Sequence, residues 1–220
     1  MREKHEREPA MSERILHGGD GTPHGRKVRI VLAEKGLDYR RDTTPAQEKP
    51  EAALARLNPA LRVPILEDRG RALFESDLIV AYLLATYPDP APDAPAPPLA
   101  PTLHRPEHPW EDALVLCTCN NALEAGVNLR QLGRSGVRAE QSAYLQRHQR
   151  RIASCLDWLE ERAAPEGFLP GWFSLQDLSL VCALDFLERW ELATWRGRPR
   201  LERLHERLSG RPSVVATRQT

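Results

Sequence analysis

The chain has 220 residues, and its 31 Lys plus Arg balance its 31 Asp plus Glu, so the net charge is zero. No global field attracts nucleic acid or an acidic membrane, and no apolar run reaches the roughly 18 residues that cross a bilayer. The charged N-terminus lacks the apolar core of a signal peptide, which favours a cytoplasmic protein. The four cysteines form no Cys-x-x-Cys pair, so we expect buried thiols in a reducing compartment and no metal site.

The first part of the chain alternates strand and helix patterns. Thr22 is suited to cap a helix that starts at Pro23, and Gly36 is a good stop for it. The predicted elements are a disordered tail over residues 1–12, in which Met11 is an alternative start, a strand over 14–17, a helix over 23–36, a weak strand over 39–43 and a helix over 46–57.

Residues 62–78 predict a β-hairpin that leads into a helix. The apolar runs 63–66 and 72–74 flank a polar turn at 67–70, in which Gly70 is free to take positive φ. Ser76 lies where the N-cap of a helix from Asp77 to about Thr86 belongs. Free backbone groups, a hydroxyl and a helix N-terminus therefore meet at one place. They are the parts of a site for a small anion with a peptide-like backbone.

The second half reads as helix throughout. Prolines between residues 88 and 109 predict an extended linker. Ser174 and Asp177 form a shortened capping box before a run that is apolar over most of its circumference, which is typical of a central helix. The predicted helices cover residues 114–132, 139–163, 173–192 and 201–208.

Five stretches resemble the glutathione S-transferase superfamily, in particular its bacterial serine- or cysteine-type cytosolic members. They are Thr22-Pro23-His24-Gly25-Arg26-Lys27-Val28-Arg29, Asn58-Pro59 through Val63-Pro64, Glu75-Ser76, residues 173–187 and Arg211-Pro212-Ser213. The resemblance covers residues 14–217. It implies a thioredoxin-like domain (βαβαββα) over 13–87, a Pro-rich linker over 88–109 and an all-α helical bundle over 110–220. A cis peptide before Pro64 and a homodimer are also implied.

The same resemblance implies glutathione as co-substrate and no tightly bound cofactor. Ser76 would donate its hydroxyl and backbone N–H to the γ-glutamyl carboxylate, and Glu75 would contribute backbone contacts or bind the amine. Val63, before Pro64, would pair with the cysteinyl backbone as an added strand. Arg62 would meet the glycyl carboxylate or remain solvated.

Activation of the thiol is expected at the start of the first helix. Thr22 stands where the family has serine or cysteine, and a hydroxyl there would lower the thiol pKa from its usual value near 8.5. Threonine adds a methyl group and restricts χ1, so its other interpretation is a simple helix cap. His17, at the end of the first strand, is a second candidate donor or a packed histidine.

An electrophile pocket is expected against the first helix of the bundle. Asn121, Glu124 and Asn128 form a polar stripe there, and His24 would face it from the other domain. The stripe either lines the cleft or is a solvated face.

The resemblance predicts a glutathione transferase that adds the glutathione thiolate to a small electrophile. One alternative is a non-catalytic binding or scaffold protein that keeps the fold. Another is a glutathione-dependent reductase or peroxidase, which would use the bound thiol because the α/β half has no cysteine. No nucleic-acid or membrane partner is expected.

Overall fold

The protein is described from a computed structural model, and the structure describes residues 14–43, 51–88 and 97–218. The expected tail, the first residues of the helix predicted over 46–57 and the proline-rich positions 89–96 lie outside these ranges.

The N-terminal part has a four-stranded mixed sheet with helices packed on it. Its elements are β1 (Ile15–His17), α1 (Pro23–Glu34), β2 (Arg40–Asp42), α2 (Glu51–Leu57), β3 (Ile65–Asp68), β4 (Arg71–Phe74) and α3 (Ser76–Thr86). The strand order is β2-β1-β3-β4. β1 runs parallel to β2 and antiparallel to β3, and β3 pairs antiparallel with β4. The predicted fold, a thioredoxin-like domain followed by a helical bundle, is confirmed.

The second part is helical. It contains α4 (Pro109–Arg134), α5 (Ala143–Glu160), α6 (Leu175–Arg189), α7 (Pro199–Ser209) and α8 (Pro212–Ala216), with a 3₁₀ turn at Ala139–Gln141. Almost all of α6 is buried, as its apolar circumference predicts. Ser174 Oγ accepts from the Asp177 amide at 3.1 Å, and the Asp177 carboxylate accepts from the Ser174 amide at 3.0 Å. The predicted capping box is therefore confirmed.

Several predicted boundaries were wrong. The hairpin turn is the two-residue Arg69-Gly70, both with positive φ, because Glu67 and Asp68 continue the ladder with β4. Ser76 is the first residue of α3, and Glu75 holds the N-cap position. α4 starts at Pro109, five residues ahead of the predicted start, since proline fits the first helical position. α8 was not predicted.

Buried cations on α1 join the two parts of the molecule. Arg26 Nη1 lies 2.6 Å from Asp185 Oδ2 on α6. Lys27 Nζ donates to Asp77 Oδ1 at 2.6 Å on α3 and to Asn120 Oδ1 at 2.9 Å on α4. The side chains of Arg26 and Lys27 are 2 % and 1 % exposed. Each cation thus meets an acceptor from another element, as buried charge requires.

The C-terminal segment also holds α1. Arg211 forms an ion pair with Glu34 at the end of α1, and the Ser213 hydroxyl donates to the same carboxylate. Arg29 Nη2 donates to the Thr217 carbonyl at 3.2 Å. Arg26 Nη2 donates to the Val214 carbonyl at 3.2 Å. Residues 211–217 therefore hold α1 in place through ion pairs and hydrogen bonds.

The cysteines divide by position. Cys119 and Cys182 are buried, whereas Cys117 is exposed, because residues two apart on a helix face different directions. All four are free thiols. None of the described helices has the length and apolarity needed to span a bilayer. Within residues 14–43, 51–88 and 97–218, no group of His, Cys, Asp and Glu side chains is arranged to hold a metal ion.

Candidate functional site

A cleft lies where α1, the loop before β3, the start of α3 and the bundle helix α4 meet. It encloses about 70 Å³ and is lined by His24, Asn58, Arg62, Val63, Pro64, Glu75, Ser76 and Glu124. The glutathione-wall residues predicted from the sequence, Arg62 to Pro64 and Glu75-Ser76, are therefore brought together in one place.

Asn58 shapes the loop that carries this wall. Its side chain is buried, donates to the Arg62 carbonyl at 2.8 Å and accepts from the Ala60 amide at 2.8 Å. These two bonds hold the loop in which Leu61 takes a positive φ of 55°. The Val63–Pro64 peptide is cis, as the resemblance implied. Asn58 itself was missed as a site residue, although an asparagine before proline is a signal for such a turn.

The start of α3 offers unsatisfied donors to the cleft. Glu75 has φ of 69°, and its side chain makes no capping hydrogen bond. Ser76 is buried, and its hydroxyl reaches Asp77 Oδ1 only at 3.4 Å. The first amides of a helix have no partner within the helix. The junction can therefore bind a carboxylate through amides and a weakly engaged hydroxyl.

Asp77 follows Ser76, and its carboxylate binds side chains of α1 and α4. This role of Asp77 was not predicted from the sequence. Asn120 Nδ2 donates to its Oδ2 at 2.6 Å, beside the ion pair with Lys27. Burial would raise the pKa of Asp77, but the attraction and hydrogen bonds from Lys27 and Asn120 outweigh it and lower the pKa. Asp77 therefore stays ionised and keeps the start of α3 docked against α1 and α4.

Thr22 lies close to Val63 but turns its hydroxyl toward its own loop. A Cβ added to Gly18 would meet Val63 Cβ at 3.3 Å and Thr22 Oγ1 at 3.9 Å, so this glycine lets the two approach. The Thr22 hydroxyl donates to the Gly19 carbonyl at 3.2 Å and makes no bond that caps α1. A Cβ on Gly25 would come within 2.5 Å of that hydroxyl oxygen. A side chain at position 25 would therefore clash with Thr22, which accounts for the glycine beside His24.

His17 is held by carboxylates of the neighbouring strands. Its Nε2 lies 2.6 Å from Glu67 Oε1, and its Nδ1 lies 3.0 Å from Asp42 Oδ2. The ring is buried and is not among the side chains that line the cleft. In this arrangement it links β1 to its two neighbours.

Glu124 of the predicted polar stripe does line the cleft. Its Oε2 lies 3.5 Å from His24 Nε2, and its Oε1 lies 3.4 Å from an Arg62 guanidinium nitrogen. Hydrogen bonding from His24, supported by Arg62, lowers the pKa of Glu124 despite its partial burial. This carboxylate bridges the two domains across the mouth of the cleft.

The rest of the stripe has other contacts. Asn121 Nδ2 donates to the Cys117 carbonyl and Asn128 Nδ2 donates to the Glu124 carbonyl, each at 2.8 Å within α4. Neither asparagine is among the side chains that line the cleft, and Asn121 is exposed.

A thioredoxin-like domain set against a helical bundle, with a helix N-terminus at the junction, is the arrangement of glutathione transferase-like proteins. The family model described as the N-terminal domain of glutathione S-transferase matches residues 16–91.

Two kinds of curated protein match parts of the chain. A stringent starvation protein A homolog of Haemophilus ducreyi is 36% identical over 118 residues, which is 50% of this chain and 53% of that protein. A maleylacetoacetate isomerase of Pseudomonas aeruginosa is 43% identical over 72 residues, 30% of this chain and 33% of that protein. The matches thus span about half, or less, of these curated relatives.

Solved structures match over nearly the whole chain. A glutathione S-transferase of Methylobacterium radiotolerans, in complex with glutathione sulfonate, is 27% identical with a TM-score of 0.73, covering 94% of both chains. A glutathione S-transferase of Methylobacillus flagellatus with glutathione bound has the same fold, with 24% identity and a TM-score of 0.76 over 94% of this chain and 100% of that one. Residues 16–91 therefore match the N-terminal domain of glutathione S-transferase, and the fold of the described chain is that of the solved glutathione S-transferases.

Proposed function

We propose that the chain binds glutathione in the cleft and adds its thiolate to a small electrophile. The observation that carries the proposal is the convergence of the Val63 backbone, the start of α3 at Ser76 and the Arg62 guanidinium on one cleft. A tripeptide with an anionic group at each end and a peptide backbone between them fits these three features.

Each part of glutathione has a counterpart in this site. The γ-glutamyl carboxylate would accept from the Ser76 hydroxyl and from the free amides of the first turn of α3. The cysteinyl backbone would pair with Val63 as an added strand. The glycyl carboxylate would meet Arg62, whose side chain is 66% exposed and reaches Glu124 only at 3.4 Å. The enclosed 70 Å³ would hold one end of the peptide, and the rest would lie along the open groove.

In this pose the sulfur lies near the start of α1, because Gly18 brings Val63 and Thr22 to the same place. Catalysis would come from holding both reactants together and from stabilising the thiolate, since at neutral pH only a few per cent of a thiol with pKa near 8.5 is ionised. The family resemblance supports the ligand, as do the glutathione and the glutathione sulfonate bound in the two related structures.

Calorimetric titration with glutathione and with S-methylglutathione tests this proposal. We expect both to bind, and we expect Ser76→Ala to weaken binding by about tenfold or more, or about 1.4 kcal/mol. Ser135→Ala, at an exposed serine of the α4 C-cap, is the matched control and should bind as the wild type does. Absence of binding at millimolar ligand would overturn the proposal.

A non-catalytic glutathione-binding protein is the second candidate function. It is favoured by the Thr22 hydroxyl, which donates to the Gly19 carbonyl and is therefore already engaged. A conjugation assay with an activated aryl halide, an enone and an epoxide separates the two candidates. Binding without turnover of any electrophile, and without reduction of a disulfide or peroxide, would select the second.

The proposal includes a cytoplasmic homodimer. Leu78 on α3 and Trp110 and Leu114 on α4 are 53%, 77% and 57% exposed. The Asn120–Asp77 hydrogen bond sets α3 beside α4, so these apolar side chains can share a surface. The four free thiols support a reducing compartment. A solution mass near twice 24.9 kDa would support the dimer, and a mass near 24.9 kDa would exclude it.

A further inference from the structure

A histidine and a carboxylate face each other across the cleft. His24 projects from the first turn of α1 and Glu124 from the middle of α4, with 3.5 Å between His24 Nε2 and Glu124 Oε2. The His24 side chain is 26% exposed, and its Nδ1 makes no hydrogen bond within the described residues. One ring nitrogen is therefore oriented by a carboxylate, and the other is free to exchange a proton.

The other candidate donor at this end of α1 is occupied. The Thr22 hydroxyl has one proton, which it donates to the Gly19 carbonyl. Thr22 would have to leave that bond to reach a sulfur atom. His24 and Val63 line the same cleft, so a cysteinyl side chain anchored on Val63 enters the space that His24 borders.

We propose that His24 accepts the proton of the glutathione thiol and that Glu124 is the positioning residue that holds its imidazole. This inference rests on the proposed function. The S–H bond breaks, its proton binds His24 Nδ1, and a thiolate–imidazolium pair remains. The sulfur electron pair then forms the S–C bond with the electrophile. The proton passes from the imidazolium to the departing anion or to the carbanion that the addition creates.

The charges around His24 favour this exchange. Glu124 faces it from α4, and Asp77 acts on it from α3. Arg62 is the opposing cation from the loop before β3, and it is itself paired with Glu124. Lys27 lies behind and is neutralised by Asp77. A new imidazolium charge therefore forms beside a carboxylate that already accepts from the ring, which is the arrangement that orients a general base.

The test follows the ultraviolet absorbance of the thiolate of bound glutathione as the pH is raised, alongside kcat/KM for an activated aryl halide. In the wild type we expect the bound thiol to titrate below the free value of about 8.5. In His24→Gln the midpoint should rise by about one pH unit or more, with about a tenfold loss of kcat/KM near neutral pH, because a neutral amide cannot hold the proton. Glu124→Gln should raise the midpoint by a smaller amount.

His108→Gln, at an exposed histidine that precedes α4, is the matched control and should leave the midpoint unchanged. S-methylglutathione has no thiol proton, so its affinity should be the same in wild type and His24→Gln, which shows that the site is intact. If His24→Gln leaves the midpoint unchanged, or if Thr22→Ala moves it and His24→Gln does not, the inference is overturned. If neither ligand binds the wild type, the proposed function fails instead.

Discussion

The start of α1, at Thr22 and His24, and the next turn of the same helix use polar side chains in opposite ways. At the first turn, Thr22 and His24 are partly exposed, and their polar contacts are long, at 3.2 and 3.5 Å. In the next turn, Arg26 and Lys27 are buried, and each lies 2.6 Å from a carboxylate of another helix. Loose contacts leave groups available to a ligand, whereas tight buried ones fix where the helix docks.

The short contacts of Arg26 and Lys27 also determine which helices α1 packs against. Arg26 binds α6, and Lys27 binds α3 and α4, so these adjacent residues fasten α1 to both domains. A buried ion pair adds little net stability over an apolar pair, but losing one partner is costly because the other charge is stranded. The body of α1 should therefore be more sensitive to substitution than its first turn.

The largest expected effect is at Lys27. Lys27→Met removes the cation beside the Asp77 carboxylate, which keeps only Asn120 as a close partner among the described residues. We expect the free energy of unfolding to fall by about 3 kcal/mol. Urea unfolding at neutral pH measures it. Arg203→Met, at an exposed arginine of α7, is the control and should change stability by no more than about 0.5 kcal/mol. If both substitutions lowered the free energy of unfolding equally, the buried contacts of Lys27 would contribute no more to stability than an exposed side chain does.

A smaller effect is expected at Gly25. Gly25→Ala gains helix propensity, but its Cβ would lie 2.5 Å from Thr22 Oγ1, so we expect a net loss of about 1 to 2 kcal/mol. Thr22→Ala/Gly25→Ala removes the clash and should be at least as stable as Thr22→Ala alone. In Gly133→Ala on α4 the added Cβ meets nothing within 4 Å, so a gain of up to about 1 kcal/mol is expected. If the two substitutions had additive effects on the free energy of unfolding, the predicted contact between a Cβ at position 25 and Thr22 Oγ1 would be wrong.

The smallest effect concerns acid stability. The folded-state pKa of Asp77 is lowered, so its contribution is complete above the unfolded value of about 3.9 and is lost as the pH falls through the folded value. The stability difference between wild type and Asp77→Asn should therefore be constant near neutral pH and shrink below about pH 4. Urea unfolding over this range measures it.

Asp157→Asn, at an exposed carboxylate on α5, is the acid-stability control. Its difference from wild type should change less across the same range, because an exposed pair is screened by solvent. A constant difference for Asp77→Asn down to the lowest pH would mean that Lys27 does not depend on the charge of Asp77.

The element order could be predicted from the sequence because local signals carry it. Ser174 with Asp177 specified the start of α6, and Gly70 specified a tight turn. The positions of Arg26 and Lys27 could not be predicted, since basic residues in a row normally indicate a solvated face, and their partners Asp185 and Asp77 are distant in sequence.

The sequence predicted which backbone segments meet at the candidate site. It predicted less well where the hydroxyl groups of Thr22 and Ser76 lie. Val63, Glu75 and Ser76 do share a cleft. The N-cap at Ser76 was misplaced by one residue, because Glu75 takes an unusual positive φ that propensity does not anticipate. The Thr22 hydroxyl donates to the Gly19 carbonyl and does not accept from an amide of α1, and sequence patterns do not decide between these two local hydrogen bonds.

The closing of α1 by the C-terminal segment has a consequence for the order of events on the ribosome. The helix is synthesised early, whereas Asp185, Arg211 and the Thr217 carbonyl, which bind Arg26, Glu34 and Arg29, emerge much later. Until then Arg26 and Glu34 lack these partners, and Arg29 has only its local contact with Asp20 among those in the described structure. The charged side chains of α1 therefore reach their final partners only after residues more than 150 positions downstream have been synthesised.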